Sequence, residues 1–530
     1  MARFFRNLAF LAATAVALTT NAFAANPTPQ RGGTASFVVV PEPPTLLAQL
    51  NTASQVQLVA TKIFDGLFNL DKDLNLTPGL ALSYKLSEDG KTLSLQLRPN
   101  VKWHDGKPFT SEDVKYTLEE VIKKYHPRGR SILANLASVD TPSPLTAVLN
   151  FSAPSLYALK SFTGPEMPIL PKHIFDGSDP RSNPAGNAPI GTGPFKFVEW
   201  KKGQEILLER NPDYWASGMP YLDRLIVRFI PDPSARAAAF ESGEIDIAGM
   251  NPIPLTDLKR YRGLKDLEVR TDGYDALAGI MYFEFNTRSP KFQDVRVRKA
   301  IAHAINRKFI GDNIWFGLGN PVNSIVPQAS KEFYDSKLAG YAYDKKKAEQ
   351  LLDEAGLKKG ANGFRMEITH DVMPFDENYQ RLARYLKQAL AEVGINVQLR
   401  NQDFPSWLKR VYTENDYETS AYIIFGMTDP AVGVQRMFWG KNIIKGVPFS
   451  NASGYANPKV DELLVAAGVA PTNQQRIDLW KQVQSIAMEE LPIIPLANIN
   501  YATVLHKRLQ GYGSDGYGVF GSFADLWISK

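Results

Sequence analysis

The stretch Leu93–Leu118, LSLQLRPNVKWHDGKPFTSEDVKYTL, constrains the fold of this chain more than any other. Leu93, Leu95 and Leu97 alternate with Ser94 and Gln96, the period-two pattern of a strand with one buried face. Pro99 brings no N–H to the ladder and Asn100 favours a turn, so the strand ends there. Trp103-His104-Asp105-Gly106 forms a compact loop with Pro108 stiffening its exit. Thr110 or Ser111 caps the helix that follows, Glu112 and Asp113 complement its dipole, and Val114, Leu118 and Val121 share one face. A strand, a shaped loop and a capped helix in immediate succession place the chain in the α/β class.

At 530 residues the chain has room for two or three domains. Its hydrophobic content of 44% and charged content of 22% are those of an ordinary soluble protein. Arg3 and Arg6 precede an apolar run, Leu8 to Leu18, and Ala22-Phe23-Ala24 has the small-residue pattern of a cleavage site, so residues 1–24 read as a signal peptide. The run is too short for a comfortable membrane span. Losing Arg3 and Arg6 takes the formal net charge from +5 to +3, too little to indicate a nucleic-acid partner. With no cysteine, disulfides, thiolate metal sites and a lipid-bearing cysteine are excluded.

Enzyme signals are absent. The six histidines show no HExxH spacing, and there is neither a G-x-S-x-G elbow nor a cysteine nucleophile. His104 and Asp105 are adjacent on a turn, where two side chains rarely reach one reacting atom. Gly511 to Gly516 matches G-x-G-x-x-G, but without a following helix or a βαβ unit.

Along the chain, Gly33 to Val40 reads as a buried strand stopped at Pro41-Glu42-Pro43-Pro44, and Val56 to Asn69 as a helix. Ser87 to Lys91 is a hairpin turn. Pro189-Ile190-Gly191-Thr192-Gly193-Pro194-Phe195 and Asn211-Pro212-Asp213-Tyr214-Trp215 are further landmarks. Gly279 to Phe285 reads as a buried strand, Asp294 to Ile305 and Glu377 to Val393 as amphipathic helices, and Ala421 to Phe425 as a strand ending in a Gly-containing turn.

Together with Asp65-Gly66-Leu67, these strings resemble the family 5 solute-binding proteins, the dipeptide- and oligopeptide-binding components of ABC importers. The resemblance implies a two-lobed, hinge-linked α/β binding protein with an additional subdomain inserted in the first lobe. Residues 25–54, 181–272 and 496–530 then form lobe I, residues 55–180 the inserted subdomain and residues 273–495 lobe II. The chain would cross between lobes near Asp272 to Ala278 and return at Pro492 to Leu496, two strands suited to hinge closure. It further implies a monomer with no cofactor and no catalysis. Such a protein captures a small-molecule or peptide solute and delivers it to membrane permease subunits. An exported receptor without a lipid anchor belongs in the periplasm of a Gram-negative bacterium.

The solute site is expected at Phe425-Gly426-Met427-Thr428-Asp429, with Glu42, Met373, Trp407 and Trp439 as further contacts. In peptide-binding relatives an aspartate four residues before the Asp-Pro proline takes the peptide amine; here that position is Gly426. An arginine that takes the carboxylate aligns with Met373. A zwitterionic dipeptide buried without either partner would be too costly, so the expected ligand is an oligopeptide, a sugar or an opine-like conjugate. The alternatives are a dipeptide receptor with other clamps and a nickel or haem carrier of the same fold.

Overall fold

The computed structural model describes residues 28–529; the signal peptide reading falls outside them. Three sheets organise the chain. The first runs Leu267–Arg270, Thr503–His506, Ile247–Ala248, Thr34–Val38, Arg224–Arg228, Glu205–Arg210, Phe195–Lys201. The second runs Gly319–Pro321, Ile493–Ile499, Gly279–Phe285, Thr419–Phe425, Met366–Val372, Ile395–Arg400. A third, four-stranded and antiparallel, runs Ala81–Leu86, Thr92–Leu97, Thr146–Phe151, Leu136–Ser143.

Local sequence explains most elements. Thr92–Leu97 buries Leu93, Leu95 and Leu97, which join Trp103, Val114 and Leu118 in one core. Thr110 N–H donates to the Asp113 carboxylate at 2.8 Å, closing the start of helix Ser111–Tyr116. Gly279–Phe285 is central in its sheet and buried along its whole length, hence its apolar run, interrupted only by Glu284. Helix Glu377–Ala391 is capped by Asp376, which accepts from Asn378 N–H at 2.7 Å, and buries Tyr379, Leu382, Leu386 and Leu390.

Two boundaries differ from the sequence reading. The first helix spans Ser54–Ile63 and does not reach Asn69. Its last carbonyl, on Ile63, accepts the Gly193 N–H at 2.8 Å, and beyond it the chain passes so close to residues 163 and 164 that a Cβ on Gly66 would lie 2.3 Å from the Gly164 nitrogen. The return from the second lobe also comes later than Pro492 to Leu496, because Ile493–Ile499 lies entirely within the six-stranded sheet, paired to Gly279–Phe285. The crossings are therefore residues 271–278 and 500–502. They lie side by side, with Tyr274 and Tyr501 rings 5.5 Å apart and Tyr274 Oη 2.6 Å from Thr503 Oγ1.

A buried seam joins the four-stranded sheet to the seven-stranded one. Asp65 accepts from Thr192 Oγ1 at 2.9 Å, Trp215 Nε1 at 2.9 Å and Tyr214 Oη at 3.3 Å, so two separated motifs converge on the carboxylate of a third. Burial pushes the Asp65 pKa up against the pull of these donors. Beside it, His104 Nδ1 accepts the Gly191 N–H at 3.2 Å while Nε2–H donates to the Gly193 carbonyl at 3.0 Å. Both ring nitrogens are committed, and burial lowers the His104 pKa to about 4, keeping the ring neutral. Asp105 turns away to His173 Nε2 at 2.7 Å. The WHDG loop is thus a joint between sheets.

Asp65→Ala strands the Trp215 and Thr192 donors inside this seam. A loss of about 3 kcal/mol in urea unfolding is expected, with Asp65→Asn costing less because it retains an acceptor. A second expectation concerns Glu284, fully buried on the central strand, whose carboxylate accepts Tyr422 Oη at 2.6 Å and Ser453 N–H at 3.0 Å. Burial pushes its pKa up to about 7 from an ordinary 4.5. Between those values the native state holds a proton that the unfolded chain releases, so stability falls as pH rises from 4.5 to 7. The loss is complete above pH 7, on the order of 3 kcal/mol. Glu284→Gln should flatten that part of the pH–stability curve, followed by urea titrations at several pH values.

Candidate functional site

Where the strand Thr419–Phe425 ends, the chain continues along the crossing segment: Gly426 N–H donates to Ala278 O at 3.0 Å and Met427 N–H to Leu277 O at 3.1 Å. Met427 takes a left-handed φ of 57°, and Ser330 Oγ holds its carbonyl at 3.2 Å. This delivers Met427 and Thr428 to a narrow pocket of about 30 Å³. Leu70, Lys160, Thr163 and Glu166 line it from the region of the four-stranded sheet. Tyr517 and Phe520 approach from the first lobe, Ala276 and Leu277 from the crossing, and Val432 from the second lobe. The lobes touch around its rim, where Ala431 and Val432 pack against the four-stranded domain's core and Lys331 lies 3.8 Å from Asp73. A concave, largely apolar chamber with a few polar groups at a meeting of domains is the usual form of a small-ligand site.

The acids around the pocket are already engaged. Glu166 accepts Arg128 Nε at 2.6 Å and Nη2 at 2.5 Å; burial pushes its pKa up, but the Arg128 charge more than reverses this and holds it below the ordinary range. Asp429 caps the helix Pro430–Gly433 through Ala431 N–H at 3.0 Å and pairs with buried Arg476 at 2.7 Å. It is a structural residue, out of reach of a solute as a free acceptor. At position 426 there is no room for an acid, because a Cβ there would lie 2.5 Å from Pro327 Cγ.

The other expected contacts scatter. Glu42 accepts from Trp200 Nε1 at 2.8 Å and Gly203 N–H at 3.0 Å, tying the proline turn to the hairpin between Phe195–Lys201 and Glu205–Arg210. Trp407 is fully buried in the second lobe's core, donating to Ser420 Oγ at 3.2 Å. Met373 is a core residue as well, and the exposed aromatic on its loop is Phe375, 73% accessible. Trp439 packs against that same core. Phe425 packs on the first lobe's core beside Tyr501, 6.3 Å ring to ring. Of the nine positions, Met427 and Thr428 line the pocket. Lys160, Glu166 and Tyr517 were not singled out from sequence, since no local pattern marks residues that meet only through the packing of three domains.

The match to a known family covers residues 75–446, described as bacterial extracellular solute-binding proteins, family 5. The chain belongs to this family. A putative ABC transporter peptide-binding protein of Brucella ovis is 34% identical over 454 residues, 83% of this chain and 82% of its own. The glutathione-binding protein GsiB of Shigella flexneri is 27% identical over 466 residues, 86% and 87% of the two chains. Among solved structures, AgaA from A. tumefaciens R10 in complex with agropinic acid superposes with a TM-score of 0.77 at 27% identity, covering 94% of this chain and 99% of that one. This family 5 protein is accordingly the solute-binding component of an ABC importer with a two-lobed α/β fold. Among the described residues no helix is long and apolar enough to cross a membrane, and no three His, Asp or Glu side chains gather as a metal site.

Gly426→Asp, which writes the peptide-type acid back into the turn, should collide with Pro327. Thermal melting is expected to drop by several degrees, and calorimetry should detect no gain in dipeptide affinity.

Proposed function

We propose that this protein is a periplasmic receptor that closes its two lobes over a solute in the junction pocket and presents the closed form to membrane permease subunits. The solute is something other than an ordinary free dipeptide: an oligopeptide held by its backbone, a sugar, or an opine-like conjugate. The observation that carries this reading is that Glu166, the only carboxylate among the described pocket-lining residues, is already taken up by Arg128. Glu166 is neutralised by Arg128, Asp429 by Arg476, and position 426 is filled by Pro327. A peptide ammonium buried there would lose its hydration without gaining an ion pair. Relatives whose names specify glutathione and agropinic acid fit a family that reaches beyond plain dipeptides. Contacts to both lobes favour the closed state, and the free energy of closing the empty lobes is subtracted from affinity.

Calorimetry of the mature chain against a panel of unmodified dipeptides checks this reading. No binding in the micromolar range is expected, whereas micromolar binding of alanyl- or leucyl-dipeptides would overturn the ligand assignment.

A further inference from the structure

A second cavity, of about 100 Å³, lies in the second lobe at the end of the six-stranded sheet opposite the crossings. The strands Gly279–Phe285 and Thr419–Phe425 span about 20 Å from the crossings to that end, where Phe285 pairs with Thr419. Arg288, just after the one strand, and Asn415, just before the other, line the cavity together with Lys445, Ile443 and Ile444 from an exposed loop. Buried Asn286 builds the opening. Its Oδ1 accepts the Arg288 N–H at 3.2 Å and Nη1–H at 3.3 Å, while its Nδ2 donates to Asn415 O at 3.0 Å and Tyr417 O at 2.9 Å. Arg288 Nη1 also donates to Ala452 O at 2.8 Å. The guanidinium lies against Gly454, where φ is 73° and a Cβ would sit 2.5 Å from Arg288 Cζ, so this position requires glycine. The side chain is therefore fixed through one nitrogen. Among the described residues Arg288 Nε and Nη2 have no protein partner, the Asn415 side-chain amide has none, and neither Arg288 nor Lys445 enters an ion pair.

No carboxylate lines this cavity among the described residues, and the acids on either side of Asn415 are committed: Glu414 to Lys409 at 3.0 Å, and Asp416 to Arg400 at 3.5 Å and to Arg410. Glu284, on the neighbouring strand, is spent on Tyr422 and Ser453. A guanidinium held through Nη1 keeps its Nε–Nη2 edge, two parallel N–H donors at the spacing of the oxygens of a carboxylate. We infer that this cavity is a second binding site, separate from the solute pocket, and that it takes a small carboxylate on a short apolar stem. Arg288 grips the carboxylate side-on, Lys445 adds a charge and the Asn415 amide a donor, and Ile443 and Ile444 wall the stem. The volume is about three waters' share of the liquid, which admits an acid of a few atoms and not a peptide. Inorganic phosphate meets the same charges but has no stem for the isoleucine wall. The inference is independent of the solute-capture reading, and the two can fail separately.

Saturation-transfer NMR of the mature chain with sodium propionate and, separately, with propionamide tests this at constant ionic strength. Propionate should give a saturable signal on its methyl group and bind about tenfold tighter than propionamide, the difference expected when hydrogen bonds lose a charged partner. Arg288→Gln should abolish that preference, Arg288→Lys should restore part of it because a point charge lacks the fork, and Lys445→Gln should weaken it, all with melting curves that report a folded protein. Phosphate should displace propionate only weakly. Equal binding of acid and amide, the absence of a saturable signal, or propionate binding unchanged in both Arg288→Gln and Lys445→Gln overturns the inference. Phosphate binding tighter than propionate, or displacement by chloride as effective as by propionate itself, overturns the carboxylate assignment. None of these outcomes bears on capture between the lobes, which the dipeptide panel decides.

Discussion

The carboxylate of Asp65 is the interaction on which the first half of the molecule depends. It gathers Thr192, Tyr214 and Trp215 from distant parts of the chain into one buried contact, next to the neutral ring of His104 spanning Gly191 and Gly193. The backbones approach so closely that Gly191 has no space for a Cβ, which would sit 1.9 Å from the Ile63 oxygen. Such a joint is rigid because its polar groups have no alternative partners once water is excluded. The four-stranded domain is thereby fixed to the first lobe, and the walls it gives the pocket, from Leu70 to Glu166, move with that lobe as one body.

Opposite that rigid body stands the second lobe. Its core does not stop at the crossings: Val38, Ala248 and Val504, on one face of the seven-stranded sheet, pack into the same apolar cluster as Ile280 and Leu496. The other face, with Phe37, Ile247 and Leu505, belongs to the first lobe's own core. An apolar connection of this kind opposes separation while permitting rotation about the paired crossings. The rim contacts are of both kinds, Lys331 with Asp73 and Ala431 and Val432 against the four-stranded domain's core.

Much of this architecture was legible from local pattern. Alternation in Leu93–Leu97, the apolar run Gly279–Phe285 and the capped, amphipathic Glu377–Ala391 each report their own environment, so periodicity alone locates them. The end of the first helix was not legible, since Ile63 stops it through a partner 130 residues later, Gly193. The site divides the same way. Met427 and Thr428 follow from a strand ending in a turn at a lobe edge. Asp429 and Glu42 look like free acids in sequence, yet each answers a donor that folding brings near, Arg476 in one case and Trp200 with Gly203 in the other. Trp407 and Met373 went to the core, as most large apolar side chains do.

The backbone bond from Met427 to Leu277 carries a mechanical meaning. The residue that lines the pocket and the segment that links the lobes are adjacent and hydrogen-bonded just beyond the ends of their strands. A displacement of Met427 therefore loads the crossing directly, with no relay through the lobe's interior.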